Sequence, residues 1–125
     1  MKFSDKGFTL AELMIAMGIL LIAISGLLST FVYCILLNES NNNLVIAAND
    51  AQYVLEQIKA KTYDDIDDFI NTFNPNEFSN LNNEAITFPD TTIGVSIATI
   101  IVNVKWTERQ RERNFRLSTR VAFTG

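Results

Sequence analysis

From Leu13 to Leu37 the chain runs twenty-five residues without an Asp, Glu, Lys or Arg. As an α-helix, rising ~1.5 Å per residue, that stretch spans roughly 37 Å. The hydrocarbon core of a bilayer is only ~30 Å thick. The run therefore predicts a membrane-spanning helix, which fixes how everything else in a 125-residue chain must be arranged. Ala16, Gly18, Ala23, Ser25, Gly26 and Ser29 are spread along it, and small residues of this kind allow close helix contacts in lipid. What remains beyond Leu37 is of marginal size for an independent core, so the outer end of the helix is expected to contribute to it.

The pattern after Leu37 supports that expectation. Leu44, Ala47, Ala48, Ala51, Leu55 and Ile58 recur at three- and four-residue spacing, one apolar stripe of a continuing helix. Asn38 to Asn43, rich in Asn and Ser, is where that helix is expected to bend or fray. Between Tyr63 and Asp90 the chain is polar. Ile66, Phe69, Ile70 and Phe73 suggest a short helix over 64–73, and the rest, with Pro75 and Pro89, reads as loop. From Ile93 onward strands are expected. Val102, Val104 and Trp106 alternate on one face, and Phe115, Leu117, Thr119, Val121 and Phe123 on a second strand, with Arg116, Ser118 and Arg120 on its reverse. Ile93 to Ala98 reads equally as a separate first strand or as part of one long strand. The connection from Thr107 to Arg113 lacks Gly, Asn and Pro, which argues against a tight two-residue turn. Two or three strands cannot cover themselves, and the helix stripe is the available cover. The predicted fold is α+β: a long N-terminal helix, its first half transmembrane, its outer half packed on a small antiparallel sheet.

Charge is segregated. Between Asn38 and Thr92 ten acids stand against Lys59 and Lys61; from Ile93 on, six cations stand against Glu108 and Glu112. A chain polarised this way can pair acidic and basic faces, within one molecule or between copies. A formal net charge of −4 does not imply nucleic-acid binding by the whole domain. Lys105, Arg109, Arg111 and Arg113 form a local basic loop, which would suit either DNA or the acidic middle of an adjacent subunit; two interspersed glutamates weaken the first option. Asp64, Asp65, Asp67 and Asp68 lack the central glycine and closing glutamate of a calcium loop, so no metal site is assigned. The single cysteine, Cys34, permits no internal disulfide. There is no histidine, the commonest general base and transition-metal ligand, and no nucleophile–base pair or phosphate loop is visible. The chain is read as a non-enzyme without a cofactor.

In front of the apolar run stand Lys2 and Lys6, a short basic leader expected to remain cytoplasmic, and one carboxylate, Glu12, at the membrane's edge, where buried charge is penalised. Gly7-Phe8-Thr9-Leu10-Ala11-Glu12-Leu13, with Lys6 before it and more than twenty apolar residues after it, resembles the class III signal of type IV pilins and type II secretion pseudopilins. The resemblance implies that a membrane prepilin peptidase cuts between Gly7 and Phe8 and methylates the new amine of Phe8. It implies residues 1–7 as a leader, 8–37 as the transmembrane and assembly half of the helix, and 38–125 as an extracytoplasmic pilin-like head. The Ile24-Ser25-Gly26-Leu27-Leu28 stretch and the ending Val102-x-Val104-x-Trp106, then Phe115-x-Leu117-x-Thr119, are similar to V-type minor pilins and I-type minor pseudopilins.

The implied function is a structural subunit of a type IV filament, whether a pilus, a type II secretion pseudopilus or a competence pseudopilus. The implied partners are the prepilin peptidase, other pilins or pseudopilins, an assembly-platform membrane protein and the bilayer. The implied location is the bacterial inner membrane, in a single pass, and then a cell-surface or periplasmic filament. In such a filament Glu12 of one copy would meet the Phe8 amine of a neighbour, and an unpaired charge in low dielectric is costly, so the pair would set axial register. Within one chain, Glu12 also favours the N-terminal dipole of its own helix. Two other functions remain open from the residues alone: a tip subunit contacting DNA during uptake, and a single-span membrane protein with an extracytoplasmic binding or sensory head that never enters a filament.

Overall fold

The computed structural model describes residues 7–94 and 96–122. The leader charges Lys2 and Lys6, and Phe123 of the last strand, lie outside them. The chain is α+β and divides into two units, 1–39 and 40–125. One helix, α1 (Leu10–Lys59, 50 residues), runs through both.

In the first unit α1 is apolar on every side. Its aliphatic and aromatic side chains, from Leu10 to Ile35, are exposed, and the helix is long and apolar enough to cross a membrane. Its few hydroxyls fold back on the backbone. Ser25, Ser29 and Thr30 donate to the carbonyls of Leu21, Ser25 and Gly26 at 2.8, 2.9 and 3.0 Å. Each of these three hydroxyls is thereby satisfied inside the segment, as a lipid environment requires.

In the second unit the rest of α1 lays Ala47, Ala51, Val54, Leu55 and Ile58 on a sheet. Short α2 (Tyr63–Thr72) follows and buries Ile66. The sheet is built on β3 (Ile97–Glu108), which pairs antiparallel with β4 (Arg111–Ala122) along its whole length. Two short strands, β1 (Ala85–Thr87) and β2 (Thr92–Ile93), also pair antiparallel with β3. Since β4 occupies one edge of β3 throughout, β1 and β2 share the other. Ala98, Ile100, Val102, Val104 and Trp106 all point from β3 into the core. Phe73 stacks edge-on against Phe88, with centroids 5.1 Å apart, which ties the end of α2 to the loop before β2.

Four expectations need correction. The helix does not fray at Asn38–Asn43; its helical hydrogen bonding is unbroken there. Within the second unit, Ser40 Oγ and Asn43 Nδ2 donate to Glu108 at 3.2 and 3.5 Å, so the polar residues are spent on a tertiary contact rather than on helix breaking. Leu44 stands at the margin of the stripe, 44% exposed, while Val54, absent from the expected stripe, is fully buried. The loop after α2 contains a strand, β1. The β3–β4 connection is a two-residue turn, Arg109–Gln110, with φ of 48° and 64°, where a longer connection was expected. The twelve-pair ladder fixes the register, and two non-glycine residues are held in the left-handed region to close it.

Candidate functional site

The helix start is built by Thr9, Glu12 and Leu13. Thr9 precedes α1, and its carbonyl accepts the first helical bond, from Leu13 N–H at 3.1 Å. Its Oγ1 accepts the Glu12 N–H at 3.3 Å. Glu12 reaches back, its Oε2 taking the Thr9 N–H at 2.9 Å and the Thr9 hydroxyl at 3.0 Å. This reciprocal arrangement is a capping box: an N-cap threonine and a glutamate three residues on satisfy each other's orphan N–H groups. The Thr-x-x-Glu spacing announces it, and a reading of Glu12 for its charge alone passes over Thr9. The carboxylate is therefore held at the helix start, over backbone donors and the positive end of the dipole.

Immediately before it the Gly7–Phe8 bond is open. Both residues are exposed, Phe8 at 87%, and a side chain at Gly7 would meet nothing within 4 Å. Gly7, Phe8, Thr9 and Glu12 line one shallow hollow. Both residues lie outside regular structure, just before the capped helix start, and exposed, irregular segments of this kind are where proteolysis concentrates.

The basic loop is not one patch. Residues paired across β3–β4 share a face, so Lys105 lies opposite Asn114 on the sheet face away from α1, while Arg111 and Arg113 lie opposite Glu108 and Trp106 on the face toward it. Lys105 Nζ pairs with Glu112 Oε1 at 3.1 Å. Arg113 Nε pairs with the almost buried Glu108 at 3.1 Å, and its terminal nitrogen also donates to Ser40 at 3.3 Å. Burial works to raise the Glu108 carboxyl, but the hydrogen bonds from Arg113 and Ser40 and the charges of Arg113 and Arg109 outweigh it and leave it below the usual range. Glu108 and Arg113 thus act together as a clasp joining the β3–β4 hairpin to Ser40 and Asn43 of α1. Arg109 sits in the turn. The acids Asp64, Asp65, Asp67 and Asp68 are exposed on α2, and among the described residues no cluster of three or more metal-ligating side chains forms.

Residues 2–28 match the family model of the prokaryotic N-terminal methylation motif, the class III signal peptide of type IV pilins. The match supports a type IV pilin-like subunit, and implies processing by a prepilin peptidase and assembly with other pilins. Together with the apolar helix it suggests a membrane-anchored pilin. No curated protein and no solved structure matches the chain.

Proposed function

We propose that the chain is a structural subunit of a type IV filament, of the minor-pilin or pseudopilin kind. It is inserted as a single-span precursor in the bacterial inner membrane, with residues 1–7 in the cytoplasm and the head outside. The peptidase cuts between Gly7 and Phe8 and methylates Phe8. The observation that carries the reading is the methylation motif at 2–28, which ends inside an apolar helix long enough to cross a membrane and is followed by a small α+β head.

The physics of the helix start supports the same sequence of events. Cutting before Phe8 creates an α-amino group, which at neutral pH is mostly protonated, its ordinary pKa being ~8. A cation and the Glu12 carboxylate then stand at the same end of a helix with lipid around it. Transfer of the helix from membrane to filament is tolerable when each charge meets its opposite, and costly when either is stranded. Pairing Glu12 of one copy with Phe8 of another satisfies both and permits only one axial offset. An assembly-platform membrane protein and neighbouring pilins or pseudopilins are the partners this role requires.

The test is the intact mass and N-terminal residue of the full-length protein, made in membranes with and without a prepilin peptidase. The expected product with peptidase lacks residues 1–7 and begins at Phe8 carrying one added methyl group. A chain that is correctly inserted but keeps its leader in the presence of an active peptidase overturns the reading.

A further inference from the structure

The sheet carries opposite charge at its two edges. On β4, Arg116 and Arg120 pair with Asn103 and Thr99 of β3 and therefore share the face away from α1. Both are exposed, and among the described residues neither makes an ion pair. Four residues apart on a strand, they stand about 13 Å from each other. Among the described residues the outer edge of β4 is unpaired over its twelve residues, a length of strand that ordinarily attracts another chain.

The acids lie at the other edge. On α2, Ile66, Phe69 and Ile70, with Phe73 just past its end, turn inward against the core, and at 100° per residue Asp64, Asp65, Asp67 and Asp68 fall on the opposite side, all exposed. Tyr63, Asp64 and Asp67 share a hollow with Ile93 of β2, which places α2 beside the β2 edge of β3, across the sheet from β4. A charge pattern split between opposite edges cannot be satisfied within the head, nor by a two-fold dimer that brings like edges together. It is satisfied by a head-to-tail contact, which repeats instead of closing.

We propose that the acidic face of α2 on one copy docks against the Arg116–Arg120 face of β4 on a second copy of this chain. The contact rests on the filament reading, in which the membrane orients all copies alike and brings neighbouring heads side by side. The four aspartates and two arginines set which edges meet, since like-charge juxtaposition at an interface suppresses the wrong pairing.

The full-length chain, with Cys34→Ala, is expressed in bacterial membranes together with a prepilin peptidase, and spheroplasts are treated with a short bis-maleimide. Asn71→Cys on the outer side of α2 and Ser118→Cys between the two arginines leave every charge in place. The double-cysteine chain is expected to give a ladder at multiples of its own mass, and each single-cysteine chain no ladder. Arg116→Glu with Arg120→Glu should cut the ladder on the order of tenfold, and Asp64→Lys with Asp68→Lys in the same chain should restore it, which excludes misfolding as the cause. Raising salt from ~0.1 M to ~1 M shortens the screening length from ~10 Å to ~3 Å and should weaken the wild-type ladder. No ladder from a chain that begins at Phe8 overturns the contact. So does a dimer from Ser118→Cys alone, which would mean β4 pairs with β4. Adducts of another protein's mass overturn the second copy as occupant. Failure of the filament reading is scored separately, because the N-terminal residue is read from the same sample; a ladder from an uncut chain would remove that reading and leave the contact.

Discussion

Glu84 is the residue whose surroundings least suit its charge. It is 5% exposed. Oε2 accepts the Leu81 N–H at 3.0 Å, while Oε1 is buried without a donor and the Asp50 carboxylate of α1 stands beside it. Asp50 is itself held by Asn80 Nδ2 at 3.2 and 3.1 Å. Burial raises the Glu84 carboxyl, the Leu81 N–H lowers it, and Asp50 raises it further, with a net upward displacement. A carboxyl whose folded pKa lies above its unfolded value contributes stability that is complete below the unfolded value and is lost as pH rises through the folded one. As pH rises and Glu84 ionises, its burial beside Asp50 therefore weakens the attachment of the 74–84 loop to α1. Glu84→Gln keeps the shape, supplies a permanent donor toward Asp50 and removes the titration. The variant should exceed the wild type by about 1 kcal/mol at pH 7, the net size of one hydrogen bond, and the advantage should shrink as pH falls toward 4. Chemical denaturation of the detergent-solubilised protein at several pH values, followed through Trp106, measures both. An advantage that stays constant with pH would mean that Glu84 does not titrate across that range.

At the scale of elements, the β3–β4 turn shows how a tertiary ladder overrides local preference. Arg109 and Gln110 both adopt positive φ, although neither residue type favours it, and a left-handed residue with a Cβ costs roughly 1–2 kcal/mol. Arg109 makes other contacts, so Gln110 is the cleaner probe. Gln110→Gly should raise the melting temperature of the head, with a stabilisation of about 1 kcal/mol once the extra unfolded-state freedom of glycine is counted; an unchanged or lower midpoint would show that the turn is unstrained. The same contest explains what the sequence displays and what it hides. The membrane run, the α2 pattern and the alternation in β3 and β4 are legible because each element repeats its own period against one apolar surface. β1 is not, since three residues carry no period. They form a strand because β3, paired with β4 on one edge, offers Lys105, Val104 and Asn103 as partners on its other edge, and because Pro75 O takes the Ile86 N–H at 2.8 Å. Likewise Val54 and Leu44 both look eligible for the helix stripe, and only the position of the sheet decides that Val54 is buried and Leu44 lies at the margin. At the helix start, the spacing of Thr9 to Glu12 carries a signal that a reading of Glu12 for its charge passes over, whereas the split of Lys105 from Arg111 and Arg113 onto two faces depends on a register that charge alone does not reveal.

At the scale of the whole molecule, the question is whether Glu12 serves its own helix or another copy. The capping box gives a local role, which glutamine also fills, and the register role needs a negative charge. Three substitutions separate the two. Glu12→Gln keeps a side chain able to reach the Thr9 N–H but has no charge for a neighbouring Phe8 amine. Thr9→Ala removes the cap, at about 1 kcal/mol of helix stability, and leaves the carboxylate. Glu12→Val removes both. If the carboxylate sets register between copies, all three chains are inserted and begin at Phe8 after the peptidase acts, but only Thr9→Ala is incorporated into filaments, because a lone amine buried among apolar helices is a penalty that cap geometry does not relieve. If Glu12 serves the cap alone, the order changes: Glu12→Gln is incorporated like the wild type, and Thr9→Ala and Glu12→Val fail together. The measurement is the ratio of sheared-filament protein to membrane-retained protein for each variant, normalised to the fraction cut at Gly7. Incorporation of Glu12→Gln at the wild-type ratio would remove the intermolecular role and leave Glu12 as a helix cap.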